Sequence, residues 1–234
     1  MKNFRHLLPI AGAVLLLALA PQLSAAYLDA AQVHATTLLA PPPATGSAED
    51  KLDLENTFAV HTAATPAEIA LGKDENKLTV FHYAPAIGDW FQPGKFPHTE
   101  KLFKQVEAES KAVTDDAKKF FKRPRPYRVA PERFPHSIEH EDPTHYSYPS
   151  GHSTRGTVFA LLLAELFPDK RDALLAKGRE AGWLRVQGGV HYPTDVYAGR
   201  VLGQELARDF LRSPEFQADF AAAKAELAAA VPAK

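Results

Sequence analysis

The chain contains no cysteine, one methionine and two tryptophans. Without cysteine there is no disulfide, no thiolate nucleophile and no cysteine-ligated metal, so a packed apolar core has to supply the stability. Charge of one sign is not in excess either, with 27 lysines and arginines against 28 acids. No global basic field advertises nucleic acid or an anionic membrane as a partner, and attraction for an anionic substrate must come from a local cluster. The long hydrophobic run at the start, Leu7 to Ala20, falls short of the ~20 apolar residues that a membrane-spanning helix needs. Sustained strand alternation and internal repeats are both missing.

What is present begins with Lys2 and Arg5 ahead of that apolar run, which opens into Leu23-Ser24-Ala25-Ala26. This is the pattern of a signal peptide over residues 1 to 26, cleaved after Ala26, with a membrane anchor as the alternative. A periplasmic or secreted protein with no stable membrane insertion after processing is expected. Loss of Lys2 and Arg5 takes the formal charge from −1 to −3. Residues 27 to 49 carry Pro41-Pro42-Pro43 and Thr45-Gly46-Ser47, too much proline and too little periodicity for a regular element. An extended arm lying on the domain is expected there, the alternative being a disordered tether.

Residues 50 to 234 read as one all-α domain. Between residues 99 and 121, Leu102, Phe103, Val106, Val113, Ala117 and Phe121 recur near helical spacing, and Pro124 and Pro126 end that helix. Ser153 to Phe167 is apolar almost all round, which implies a buried central helix, while its Glu165 and short length argue against membrane insertion. An amphipathic helix follows over 169 to 187. Pro193 starts the next, to about Leu211, and Ser213-Pro214 starts an Ala-rich last one.

Three segments carry chemistry. Lys118 to Arg128 holds six cations where a helix gives way to a rigid turn; alone it reads as a solvated face, yet Arg125, between two prolines, suits a tetrahedral oxyanion because its fork donates two parallel hydrogen bonds. Tyr148-Pro149-Ser150-Gly151-His152-Ser153 precedes the buried helix, where N–H groups exposed by a glycine and a serine hydroxyl make an anion site. Its plainer reading is a capped helix start with His152 at the rim. Arg185, His191 and Asp195 form the third. The aspartate follows the histidine by four positions across a helix start, so it can accept the proton of one ring nitrogen and leave the other free to attack. A structural His–Asp pair is the alternative.

In combination these segments resemble the type 2 phosphatidic acid phosphatase superfamily: a lysine, six residues and Arg-Pro (Lys118, Arg125-Pro126); Pro-Ser-Gly-His (Pro149 to His152); and an arginine, five residues, His, three residues, Asp (Arg185, His191, Asp195). The likeness covers roughly residues 38 to 210 and is greatest to bacterial class A non-specific acid phosphatases. One departure is Leu184, where the family usually has serine. The resemblance implies the helical fold shared by acid phosphatases and vanadium haloperoxidases. It also implies hydrolysis of phosphate monoesters without a metal or other cofactor, small phosphate esters as partners, and a homo-oligomer. His191 is then the nucleophile that becomes a phosphohistidine, Asp195 its orienting partner and His152 the general acid. Lys118, Arg125, Ser150, Gly151 and Arg185 bind phosphate.

Competing readings within the resemblance are a soluble lipid-phosphate or pyrophosphate phosphatase or phosphotransferase, and a vanadate-dependent haloperoxidase. A non-catalytic phosphate-binding protein is the alternative of another class, and the presence of both His152 and His191 argues against it. His136, Glu139, His140, Glu141, Asp142 and His145 crowd one loop but show no recognised metal-ligand spacing. His34, His61, His82 and His98 read as surface or satisfied core positions, and Trp90 and Trp183 as packing.

Overall fold

A computed structural model describes residues 25–28, 33–135, 137–138 and 145–231. The apolar run of the expected signal peptide lies outside the described residues, as do His136, Glu139, His140, Glu141 and Asp142 of the loop. The described chain is helical, with no strand: α1 (Ala35–Leu38), α2 (Ala48–Ala63), α3 (Pro66–Asp74), α4 (Ala84–Ile87), α5 (Pro97–Phe121), α6 (Pro126–Val129), α7 (Gly151–Leu166), α8 (Arg171–Gln187), α9 (Pro193–Arg212) and α10 (Pro214–Ala230). None of these helices is long and apolar enough to cross a membrane.

Helix starts follow their sequence signals. Ser47 caps α2 by accepting from the Asp50 N–H, Thr65 and Glu68 form a capping box on α3, and proline opens α5, α9 and α10. The described residues 27–28 and 33–47 are irregular, as the prolines demand, apart from the single turn of α1. They lie on the domain, with Tyr27, Leu28, Ala35 and Leu39 buried and the Tyr148 hydroxyl donating to the Ala40 carbonyl at 2.5 Å.

The helix that is apolar all round, α7, is the axis of the fold. It packs against α8, α9 and α5, while α10 closes over α5, so Val158, Phe159, Leu162 and Leu163 meet Leu102, Phe103, Leu202, Leu206 and Phe210 in one core. Trp90 packs among Phe91, Phe96 and Phe167 as expected. His61 is a satisfied core histidine, its Nδ1 2.6 Å from the Gln187 carbonyl.

Two glycines set how closely the helices meet. A Cβ at Gly178 on α8 would lie 2.7 Å from the Gly156 carbonyl of α7, so only glycine permits that crossing. A Cβ at Gly199 on α9 would lie 2.5 Å from the Ser150 carbonyl. With none there, the start of α7 reaches the start of α9 and the Ser150 N–H donates to the Asp195 carbonyl at 2.9 Å. That contact registers the second chemical segment against the third.

Candidate active site

Three helix ends build the site. Lys118 occupies the last turn of α5, which stops where Lys122 takes a left-handed φ of 51° and Pro124 cannot continue. Gly151 and His152 are the first residues of α7, capped by Ser150. His191 lies two residues before α9, and Asp195 is in its first turn, reaching back so that Oδ2 accepts the Tyr192 N–H at 3.0 Å. Local helix-start geometry therefore brings this carboxylate to 3.2 Å from the His191 Nδ1.

Lys118, Arg125, Gly151, His152 and His191 line one cavity of about 240 Å³. Ser150, Arg185 and Asp195 stand behind its wall, each essentially buried. Arg185 reaches the cavity through Asn76, a lining residue whose Oδ1 accepts from Nη2 at 3.3 Å; Nη1 donates to the Gly72 carbonyl at 2.7 Å and, among the described residues, Nε has no hydrogen-bond partner. Lys118 donates to the carbonyls of Tyr146 (2.6 Å) and Ser147 (3.3 Å), and Arg125 to those of His145 (2.9 Å) and Val190 (2.7 Å).

Among the described residues these three cations bond to carbonyl and amide oxygens and to no carboxylate. Burial accordingly works against their charge. It pushes Lys118 well below the usual lysine range, with Arg125 as the next cause, lowers Arg125 to about 10, and lowers Arg185 to about 9 with help from Arg125. Glu107 and Asp115 also line the cavity and Asp195 lies near, yet among the described residues none of these acids pairs with Lys118, Arg125 or Arg185, and three buried cations so placed favour an anionic ligand.

The two histidines differ in setting. On His191, Nδ1 faces Asp195 Oδ2 while Nε2 lies 3.2 Å from Arg125 Nη1, so the ring's outward nitrogen is the one among the cations. His152 is partly buried and its Nε2 lies 3.1 Å from the Asn76 carbonyl, which requires the proton on that nitrogen. Burial and then Arg185 and Arg155 hold its pKa well below the ordinary histidine value. Gly151 leaves room: a Cβ there would meet only Thr114 Cγ2, at 3.7 Å.

Sequence reasoning left out four residues. Asn76 ties both Arg185 and His152. Ser147 donates to Asp195 Oδ2 at 2.5 Å. Arg123, counted only within the basic run, turns inward: Nη1 donates to Asp195 Oδ1 (2.9 Å) and Thr194 Oγ1 (2.7 Å), and Nη2 to Asp53 (2.9 Å) and Asp50 (3.2 Å). Its guanidinium also stacks 3.7 Å over the Tyr192 ring. Asp53, on α2, completes this support. The alternation Arg123-Pro124-Arg125-Pro126 was the only available signal, since prolines that hold one arginine also constrain its neighbour.

The chain is similar to known proteins. A family model described as the PAP2 superfamily matches residues 107–214. A non-specific acid phosphatase of Salmonella typhimurium is 32% identical over 211 residues, covering 83% of this chain and 80% of that protein. Another, from Providencia stuartii, is 30% identical over 214 residues, covering 86% and 84% respectively. Among solved structures, that of the first bacterial vanadium-dependent iodoperoxidase aligns with a TM-score of 0.56 at 19% identity, over 76% of this chain and 53% of its own length, and so shares the fold. The chain belongs to the PAP2 superfamily. Within it, the chain groups with the non-specific acid phosphatases, hydrolases of phosphoric monoesters.

Proposed function

We propose that the protein is an exported, metal-independent acid phosphatase that cleaves small phosphate monoesters through a phosphohistidine on His191. The observation that carries this reading is the buried cluster of Lys118, Arg125 and Arg185, which among the described residues forms no ion pair with a carboxylate and is set beside the outward Nε2 of His191.

In the first step Nε2 attacks phosphorus, the N–P bond forms and the P–O bond to the alcohol breaks. Asp195 accepts from Nδ1 and holds the ring in the tautomer that leaves Nε2 unprotonated. The cations, the Ser150 hydroxyl and the main chain at Gly151 take up charge on the non-bridging oxygens. His152 gives a proton to the departing alcohol, then removes one from the water that cleaves the N–P bond. Its lowered pKa suits the second role. A bound phosphate dianion favours the imidazolium and supplies the first.

The testing experiment compares two leaving groups in His152→Ala. Glycerol phosphate, whose alkoxide needs a proton, should lose about 10²–10⁴-fold in single-turnover phosphoenzyme formation, whereas p-nitrophenyl phosphate should lose far less. Equal losses on both substrates, with the fold intact, would show that His152 only binds phosphate.

Because cations take the place of a metal in this scheme, activity should survive exhaustive EDTA treatment, and vanadate should inhibit. Activity lost to EDTA and restored by zinc or magnesium would overturn metal independence and turn attention to His136, His140 and His145. Vanadate-loaded protein that oxidises halide would favour the haloperoxidase reading instead.

Export is supported by Lys2, Arg5 and the run to Ala26, and by the change from exposed Ala25 and Ala26 to buried Tyr27 and Leu28.

A further inference from the structure

Far from the cavity, Glu109 on α5 holds both ends of its carboxylate against the main chain of the arm. Oε1 accepts the Tyr27 N–H at 3.0 Å and Oε2 the Leu28 N–H at 2.8 Å. Around this contact three helices form a receptor for one residue. The Tyr27 ring is 4% exposed, edge-on to Phe210 of α9 and Phe216 of α10 with centroids 6.3 and 5.5 Å away. Its hydroxyl donates to Asp219 Oδ2 at 2.5 Å, and Lys101 of α5 pairs with the same carboxylate at 3.0 Å. Gln105 bonds Glu109 Oε1 at 2.9 Å and steadies it. Immediately before Tyr27 the residues Ala25 and Ala26 are exposed, although Gln105 Nε2 also donates to the Ala25 carbonyl at 2.8 Å.

Glu109 is half-buried, and among the described residues it forms no ion pair with a lysine or arginine. Two amides give this carboxylate charge-assisted hydrogen bonds but do not neutralise it, and a cation at the same place would add the attraction of a full opposite charge. The adjoining hollow shared with Tyr27 also carries Glu205, Asp209 and Glu215; Arg208 and Arg212 pair with the first two, while among the described residues Glu215 bonds only to the Ser213 hydroxyl. Both features favour a positive charge at the Tyr27 nitrogen.

We propose that cleavage occurs between Ala26 and Tyr27 and that Glu109 is the binding site for the α-ammonium group so created, locking the new N-terminal tyrosine onto α5, α9 and α10. Hydrolysis of that peptide bond adds water, frees the Ala26 carboxylate with the leader, and leaves on Tyr27 an amine that takes up a proton. The amide nitrogen already 3.0 Å from Oε1 becomes a full charge at the same place. The proposal rests on the export reading given above and adds the identity of the new terminus and the group that receives it.

The test uses full-length chain expressed with its export route, purified after processing, as wild type and as Glu109→Gln. Mass spectrometry of the N-terminal peptide first identifies the terminus, expected at Tyr27. Carbamylation by cyanate, which attacks only the neutral amine, is then followed on that peptide across pH, with an exposed lysine peptide as internal standard. An ordinary α-amino group titrates near ~8, and each unit of upward shift lowers its reactive fraction about tenfold at neutral pH. The wild-type α-amine should react at least about fivefold more slowly than that of Glu109→Gln, the standard lysine remaining unchanged. A Tyr27 terminus with equal rates in both proteins would remove Glu109 from the role while leaving export intact. A terminus elsewhere, or retained Met1, would overturn the cut and the lock together. Should Glu109→Gln fail to accumulate, the wild-type titration alone decides: an α-amine with the ordinary midpoint refutes the ion pair.

Discussion

Replacing His191 with alanine is expected to abolish phosphoenzyme formation and to lower kcat on every monoester by at least about 10⁴-fold, the scale reached when one member of a nucleophilic unit is lost. Rapid quenching without acid of the wild-type reaction should trap a covalent adduct that is stable to alkali and labile to acid, as a phosphorus–nitrogen bond requires. The expectation depends on ring orientation. Nδ1 faces a wholly buried carboxylate at 3.2 Å, so Nε2 is the nitrogen that meets the cations. Asp195→Asn keeps the shape and turns a proton acceptor into an amide that can present a donor to Nδ1, which moves the ring proton to Nε2 and blocks attack. A loss of roughly 10²–10⁴-fold in the rate of adduct formation is expected, with KM little changed. A phosphoserine in the trapped adduct would sink the assignment.

The second large effect is expected at Arg123. One guanidinium there compensates Asp53 and Asp195, 4% and 0% exposed, and touches Asp50. Removing one partner of a buried pair leaves an uncompensated charge and costs about 3–5 kcal/mol, so Arg123→Met should unfold at markedly lower denaturant concentration. Arg123→Lys restores the charge without the fork that reaches two carboxylates and Thr194, and should recover only part of the loss.

The pH dependence has a definite sign. Burial already raises the Asp53 pKa, with Thr194 and Arg123 opposing it. At neutral pH the carboxylate is charged and the full deficit of Arg123→Met is present. As the pH falls through the raised Asp53 value the buried group protonates, and the deficit should shrink. Urea unfolding at several pH values measures this, and a deficit constant with pH would refute the charge argument. Where the variant remains folded, kcat should fall more than KM rises, because Asp195 loses its Oδ1 partner and the histidine its fixed orientation, whereas Lys118, Arg125 and Arg185, proposed to bind phosphate, are untouched.

These two predictions differ in how visible their residues were in the linear chain. His191 and Asp195 are four residues apart across a helix start that Pro193 announces, and covalent geometry alone brings them into contact. Lys118 and Arg125 straddle a helix end that Pro124 and Pro126 announce. Arg123 sits in the same run, yet it reads as one more solvated cation because its partners Asp53 and Asp195 are 70 and 72 residues distant. Asn76, in a single 3-10 turn, carried no signal, and Ser147 stood only at the edge of the Tyr148 to His152 motif with nothing to show that it meets an aspartate 48 residues away.

From sequence alone came the helical class, the buried nature of α7, the helix ends that present the chemical groups and the family to which the spacing of those groups points. All follow from short-range causes: apolar periodicity, proline and capping residues, and fixed separations along a helix. Tertiary structure alone decided which cations line the cavity and which stand behind it, how Arg123 is bound between three acids, and where Glu109 meets the arm 82 residues away. The reason is physical: at Gly178 and Gly199 backbones approach too closely for any Cβ, and the direction a buried guanidinium takes is set by acceptors that only such long-range packing brings near.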